Sequence, residues 1–314
     1  MLLAEQLKGR AQVTIFEKAR GVSGRLSTRY AAPYQFDHGA QFFSAKTQSF
    51  QAFLEPLIAQ NVLAHWDARL VELSRPDIDS QLGDIKHCTY YVGVPKMNQF
   101  IKHLSKNLDI RLRTCIARVE KEGDRWNLQD DVQQSQGTFD WVISTAPPKQ
   151  SAVLLPHSFE HYGVLGKVQM LGCFALMLGF TEPLLLPWDA ALVRNADIRW
   201  IAVDSSKPGR PKAYSMLVHS TNSWAERHLD DDYKDVQKHL CMELSKVIGM
   251  EVSHADYVGL HGWRFADIGK QRTAASFMDA QNNLAVCGDW CLEGHVEAAF
   301  TSAMHLAKKL KGHL

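Results

Sequence analysis

Glu17, Gly24 and Arg25 are the first residues along the chain whose types and spacing suggest chemistry. Glu17 directly follows Val13-Thr14-Ile15-Phe16, a short β-branched and aromatic run. An acidic residue at the end of a parallel strand is placed to accept hydrogen bonds from a ribose 2′-hydroxyl. Seven residues on, Gly24 permits close backbone approach, and Arg25 offers a forked donor that suits a pyrophosphate. The plain alternative is a surface Glu and Arg beside an ordinary turn. A second constellation is Phe36-Asp37-His38-Gly39-Ala40-Gln41-Phe42-Phe43. Gly39 and Ala40 let backbone lie against a flat ring, and Gln41 can both donate and accept at its polar edge. His38 on its own reads as a structural histidine. A third runs Asn283-Leu284-Ala285-Val286-Cys287-Gly288-Asp289-Trp290 and continues as Gly294-His295-Val296-Glu297-Ala298-Ala299. Strand, Gly-Asp turn and helix start would bring backbone N–H groups and a positive helix end to an anionic or electron-rich group. The bland version is a cap before a core helix. Finally, Trp263 and Arg264 could stack on and pair with a charged heterocycle, or be a buried Trp beside a surface Arg.

These residues need elements to hold them. Leu2–Leu7 reads as the tail of a helix leading into the buried strand Val13–Phe16. After Pro95, which suits a first turn, Met97, Phe100, Ile101, Leu104 and Leu108 share one helical face. Strands are expected around Ile116–Val119 and Arg125–Leu128, turning at Glu122-Gly123, and again at Trp141–Thr145 before Ala146-Pro147-Pro148. From about 150 to 282 longer strands are expected (167–180, 198–204, 213–219, 253–262), with one helix near 224–248. The chain then returns to strand (Leu284–Cys287), turn and helix from Val296. On that helix Val296, Ala299, Phe300, Ala303, Met304, Ala307 and Leu310 form an apolar stripe, and Lys308, Lys309 and Lys311 suit its carboxyl end. A nucleotide-type fold that begins, is interrupted by a β-rich region and is completed at the other end implies two domains with a crevice between them.

Bulk properties narrow the class. The 314 residues are 46% hydrophobic and 22% charged, ordinary values for a globular chain with a substantial core. A formal charge of +1 leaves no basic stripe for nucleic acid. The longest apolar run, Met170–Phe180, contains two glycines and is too short to cross a bilayer. No secretory signal opens the sequence. Of Cys88, Cys115, Cys173, Cys241, Cys287 and Cys291, only the last two are close, and a CxxxC pair without nearby histidines is a poor metal site. Reduced, mostly buried cysteines in a cytoplasmic protein, with no metal, are the expectation.

The strand–Glu17-Lys18–Ser23-Gly24-Arg25 run resembles the FAD-binding amine oxidase superfamily, which has Gly-Gly-Arg where Ser23-Gly24-Arg25 stands. Phe36–Phe43 resembles the segment that runs beside the flavin in renalase-like members. His261-Gly262-Trp263-Arg264-Phe265-Ala266 is similar to their His-Arg-Trp-Arg-Tyr-Ala, with glycine for the first arginine, and Val92-Gly93-Val94-Pro95-Lys96-Met97 is similar to their Val-Gly-x-Pro-x-Met. The resemblance covers essentially the whole chain. It implies an α/β fold (α+β overall), with a discontinuous Rossmann-like FAD-binding domain (1–48, 93–149 and 283–314) and a mixed β-rich substrate domain (49–92 and 150–282). It further implies FAD contacts at Glu17, Lys18, Gly24, Arg25, Gly39, Ala40, Gln41, Phe42, Val119, Ala146, Gly288, Asp289, Val296, Glu297 and Ala298. Substrate contacts are expected at His261, Trp263 and Arg264, and no residue is identified as an acid or base.

Members of that family open with a strand and a Gly-x-Gly-x-x-Gly loop that meets the pyrophosphate. No such loop occurs here, and Met1 falls inside the helix that would follow it. A missing central strand would leave Val13–Phe16 and Leu284–Cys287 without a neighbour between them, exposing side chains on the order of 1.5–3 kcal/mol each. A misassigned start codon or truncated gene product is therefore expected rather than a native variant; if the chain truly starts at Met1, tight FAD binding is not expected. The activity implied is oxidation of 2- and 6-dihydro-NAD(P), reduced nicotinamide nucleotide isomers, to NAD(P)+, with O2 reduced to H2O2; the near-neutral charge and a single small domain interface make a monomer the default expectation. The alternatives are oxidation of an amine or desaturation of another small molecule, or a non-catalytic remnant.

Overall fold

The computed structural model describes residues 1–74, 89–269 and 273–314; Cys88 lies outside them. Helix α1 (Leu2–Gln6) buries Leu3 and Ala4 and leads to β1 (Thr14–Glu17). The hairpin β2 (Arg29–Ala31) and β3 (Tyr34–Phe36) precedes α2 (Gln48–Ala59), whose Thr47 cap accepts the Phe50 N–H. Next come β4 (Leu63–His65), β5 (Leu70–Ser74), β6 (Tyr91–Gly93) and α3 (Asn98–Leu104). Helix α3 is shorter than its apolar stripe suggests. Asn107 adopts a positive φ of 64°, which ends the helix and leaves Leu108 outside it, and Pro95 lies ahead of it rather than in its first turn.

Strand β7 (Asp109–Leu112) pairs in parallel with β1. An antiparallel trio follows: β8 (Ile116–Glu122), β9 (Arg125–Asp130) and β10 (Ser135–Phe139). Gly123, at φ +60°, makes the expected β8–β9 turn. After β11 (Val142–Ser144) come α4 (Pro148–Leu154) and α5 (Tyr162–Leu165).

The β-rich block contains β12 (Met170–Phe180), β13 (Ala190–Arg194), β14 (Ile198–Val203) and β15 (Tyr214–Ser220). The single helix expected over 224–248 is two, α6 (Asn222–His228) and α7 (Tyr233–Ile248). Asp230-Asp231-Asp232 interrupts them, and Asp232 accepts the Lys234 N–H as a fresh N-cap. Strand β16 (Tyr257–Ile268) starts later and runs further than expected. Strands β17 (Phe277–Asp279) and β18 (Leu284–Val286) and helix α8 (Val296–Leu310) complete the chain.

A six-stranded sheet, ordered β16-β12-β15-β14-β13-β5, forms the β-rich half. One face packs Phe174, Leu176, Leu178, Met216, Val218 and Ile201 against Trp224 of α6 and Val236, Leu240 and Leu244 of α7. The spacing of those α7 residues is the i, i+4, i+8 stripe of a helix lying on a sheet. The other face meets Tyr34 and Phe36 of β3 through Ala175, Met177 and Leu217.

One expectation is corrected. Leu284–Val286 does have neighbours on both sides, parallel β11 and antiparallel β17. Among the described residues β1 pairs only with β7 and β11 only with β18, so each keeps one unpaired edge, and both strands border the cavity described next.

Candidate active site

A cavity of about 2520 Å³ is lined by segments from the whole length of the chain. A pocket for one small molecule occupies roughly 300–1,000 Å³, so this one has room for a dinucleotide-sized group and a second ligand. Glu17, Lys18, Gly24 and Arg25 line it, as do Gly39, Ala40, Gln41, Phe42, Val119, Ala146, Gly288, Asp289 and Val296. Trp263 and Arg264 line it too. Glu297, Ala298 and His261 do not.

Local structure explains these placements. Glu17 ends β1, and its Oε1 accepts the Ala19 N–H at 2.7 Å, which fixes the carboxylate at the mouth of the following turn. Gly24 has φ +50° in a 3-10 turn spanning Gly24–Leu26. The Arg25 carbonyl accepts the Ala40 N–H at 2.9 Å, so the two glycine-bearing segments are bonded together. The fit is close: a Cβ at Gly39 would lie 1.9 Å from that carbonyl oxygen. The Arg25 guanidinium, expected to face a pyrophosphate, grips both oxygens of Asp289 at 2.6 and 2.7 Å. Lys18 Nζ lies 3.5 Å from Gln150 Oε1.

Gln41 also departs from expectation. Its Nε2 donates to the Asp37 and Gly39 carbonyls and its Oε1 accepts from Lys207 Nζ at 3.2 Å. The amide thus braces the segment from behind. Lys207 is buried with Asp37, Asp204 and Arg210 in one ion network, and Asp37 accepts further bonds from Thr28 Oγ1 (2.7 Å) and the Met97 N–H (3.0 Å). Every carboxylate oxygen in that cluster has a partner, as buried charges require, while Arg210 Nε alone is left without one. Glu297 plays a comparable role outside the cavity. Its carboxylate accepts the Lys46 and Thr47 N–H groups at 2.8 and 2.7 Å and joins the start of α8 to the start of α2. Ala298 is buried, its N–H bonded to His295 Nδ1.

At the far end of the cavity the six-stranded sheet supplies the wall. Register sets which side chains face it: Ala175 pairs with both His261 and His219, and His219 pairs with Trp200, so these four share one face. His219 and Trp200 line the cavity, with Cys173, Leu192 and Arg199 beside them. None of these five was singled out in the sequence, because the signal lies in cross-strand pairing. His261 lies one strand too far and packs on His38 and Trp263 at ring distances of 5.0 and 4.4 Å. Trp263 Nε1 donates to the His38 carbonyl at 2.8 Å. Arg264 reaches outward to Asp230 at 2.5 Å, so its charge is spent at the surface rather than in the cavity.

The charged side chains that line the cavity are predominantly basic. Nine lysines and arginines line the cavity against four aspartates and glutamates. Burial, reinforced by Arg199, pushes the His219 imidazole down to about 3. Burial, with His261 and Arg29 beside it, pushes His38 down to about 4. Arg199 is held by Asn222 and Asp267 at 2.8 and 3.0 Å. Burial raises the thiols of Cys173, Cys287 and Cys291, the last two to about 12, so they are unreactive. A flavin dinucleotide fits this donor set: cations and backbone for a pyrophosphate, Glu17 for a ribose, and glycine-bearing backbone at 39–40 for a ring.

Elsewhere, Asp197, His239 and Glu243 have ligand-capable atoms within 4.8 Å of one another. His239 Nε2 already bonds Asp197 Oδ2 at 2.8 Å, and its ring stacks on Trp224. No helix among the described residues is long and apolar enough to cross a membrane.

Residues 80–310 match the family described as flavin containing amine oxidoreductase, and residues 1–57 match an NAD(P)-binding Rossmann-like domain. Renalase of Mus musculus is 22% identical over 337 residues, spanning 100% of this chain and 95% of the mouse protein. Among solved structures, a protoporphyrinogen oxidase described as putative, from Exiguobacterium sp. 255-15, superposes with a TM-score of 0.74 at 12% identity, covering 100% of this chain and 96% of its own. Cyclohexylamine oxidase from Brevibacterium oxydans IH-35A gives 0.72 at 11% identity, covering 99% and 96%.

Proposed function

We propose, since the chain belongs to the flavin containing amine oxidoreductase family and is an FAD-dependent oxidoreductase, that it oxidises 2- and 6-dihydro isomers of NAD(P) to NAD(P)+. The chemistry supplied by bound FAD is acceptance of a hydride and return of two electrons to oxygen, giving hydrogen peroxide with one proton taken from solvent. In this reading Glu17, Lys18, Gly24, Arg25, Gly39, Ala40, Val119, Ala146, Gly288 and Val296 hold the cofactor. Residues 1–48, 93–149 and 283–314 serve FAD, and 49–92 and 150–282 serve the substrate. A monomer working in the cytoplasm belongs to the same reading, and the scattered free cysteines support it.

The observation that carries the reading is the chemistry of the sheet end. Its imidazole, His219, is pushed down to about 3 by burial, its carboxylate, Asp267, is paired with Arg199, and its thiol, Cys173, is raised by burial. Neither that imidazole nor that thiol is tuned to take a proton near neutral pH. Loss of hydride from a dihydropyridine makes an aromatic cation and needs no base. What it needs is a planar ring held in place, and the rings of Phe42, Trp200 and Trp263 suit that task.

The test is aerobic turnover of the flavin-loaded protein with dihydro-nicotinamide isomers and, separately, with primary amines. Peroxide formed with the isomers and not the amines is expected; the reverse pattern would overturn the proposal.

A further inference from the structure

Arg199 is the extra residue of a β-bulge: Ile198 on β14 pairs with Ser220, and Trp200 pairs with the adjacent residue of β15, His219. A bulge re-aims a side chain out of the strand's alternation, and Arg199 lines the cavity beside Trp200. Its guanidinium is pinned through one nitrogen. Nη1 donates to Asn222 Oδ1 at 2.8 Å and to Asp267 Oδ2 at 3.0 Å. Those partners are themselves fixed: Asn222 Nδ2 donates to the Gly172 carbonyl at 2.8 Å, and Asp267 Oδ1 accepts the Ile268 N–H at 2.9 Å. Both Nη1 protons are thereby used, and among the described residues no hydrogen bond leaves Nε or Nη2. Neither of these two nitrogens is a buried, unpartnered atom, and 36% of the side chain is exposed. The Nε–Nη2 edge is therefore a two-pronged donor, held still from behind and open in front. It lies close to the other wall of the cavity, since the carbonyl of Ala266, the residue before Asp267, is 3.4 Å from Arg25 Nη1. Arg264 also lines the cavity, but its Nη2 is spent on Asp230 and the Leu229 carbonyl.

We propose that the Nε–Nη2 edge of Arg199 binds the phosphate that follows the nicotinamide ribose, so that the substrate is a phosphorylated nucleotide rather than a nucleoside. The inference rests on the nicotinamide reading above and deepens it, because it names the group beyond the ring that is recognised. Two parallel N–H donors match two oxygens of one phosphate. Asp267 takes up only Nη1, and nine cations against four carboxylates line the cavity, which leaves positive charge for a further anion. Trp200 and Trp263 line the same wall and suit the ring, while Arg199 suits its tether. Arg199 is thus a specificity-determining residue and takes no part in hydride transfer.

The test is equilibrium binding to the flavin-loaded protein, followed by calorimetry, of nicotinamide mononucleotide and of nicotinamide riboside, which lacks the phosphate. The unaltered protein is expected to bind the mononucleotide roughly 10- to 100-fold more tightly, as hydrogen bonds to a charged group allow. Arg199→Met should bind the two ligands equally. Arg199→Lys, which keeps the charge and loses the fork, should retain part of the preference. Added sodium chloride should narrow the preference in the unaltered protein, a readout that needs no variant to fold. Equal affinities in the unaltered protein, a preference that survives Arg199→Met or is indifferent to salt, or no binding of either ligand would each overturn the phosphate site. Turnover separates the two ideas. Dihydro isomers of the riboside oxidised as efficiently as those of the mononucleotide sink this inference alone, and an Arg199-dependent preference in binding without turnover of any isomer sinks the proposed reaction alone.

Discussion

Arg25 and Asp289 stand 264 positions apart in sequence and meet through two hydrogen bonds of 2.6 and 2.7 Å. The pair is partly shielded, with 31% of the arginine side chain and 12% of the aspartate exposed. It bonds the first glycine-bearing turn to the turn after β18. Arg25→Ala should cost about 1–3 kcal/mol in urea unfolding, because it strips a charge-assisted bond from a shielded carboxylate. The double variant Arg25→Ala/Asp289→Ala should cost less than the two single changes summed, a coupling readable in a double-mutant cycle. FAD affinity, followed by flavin fluorescence, should fall in Arg25→Ala by about 10-fold or more if the guanidinium also meets the pyrophosphate.

Two glycines in the same region should respond very differently to alanine. At Gly39 a Cβ would lie 1.9 Å from the Arg25 carbonyl oxygen and 2.8 Å from its carbon, and backbone cannot yield as a flexible side chain can. At Gly24 nothing lies within 4 Å of the added atom, and only the φ of +50° opposes it. Gly24→Ala should cost about 1 kcal/mol. Gly39→Ala should cost about 3 kcal/mol or more and part the 24–26 turn from the 39–42 segment. Thermal unfolding of the two variants side by side decides this.

Stability should fall as pH drops from 7 towards 4. His38 and His219 are buried and pushed down to about 4 and about 3, while the same residues in an unfolded chain titrate near the ordinary histidine value of 6.5. Between those values the unfolded chain binds protons that the folded one refuses, so stability rises with pH across the window and is complete above about 6.5. Each histidine contributes a slope of about 1.4 kcal/mol per pH unit at most. Unfolding midpoints measured between pH 7 and 5 should therefore decline in the native protein and decline less steeply in His38→Asn and His219→Gln.

Part of the cavity lining was legible because its parts are local. Glu17, Gly24, Arg25, Gly39 and Gly288 sit at strand ends and tight turns, where sequence spacing alone dictates which backbone comes close to what. The sheet end of the cavity was not legible for the opposite reason. Trp200 and His219 acquire neighbours only through the β14–β15 register, which no short window of sequence contains. Gln41 and Arg264 show a second limit. Their types were read correctly as donors, yet the structure commits the first to the nearby Asp37 carbonyl and to Lys207, 166 positions away, and the second to Asp230, 34 positions away. The split of the helix expected over 224–248 could have been seen: three consecutive aspartates are poor helix interior and good N-cap material.

The span between the turn at Arg25 and the turn at Asp289 bears on how the protein is made. Translation proceeds at about 5–20 residues per second, so the 264 positions between them take roughly 13–50 seconds to synthesise. A nascent chain has the amino-terminal wall of the cavity in hand for all of that time and nothing to close it against. Flavin loading is therefore a late event, and the coenzyme should be found on released polypeptide and not on ribosome-bound intermediates.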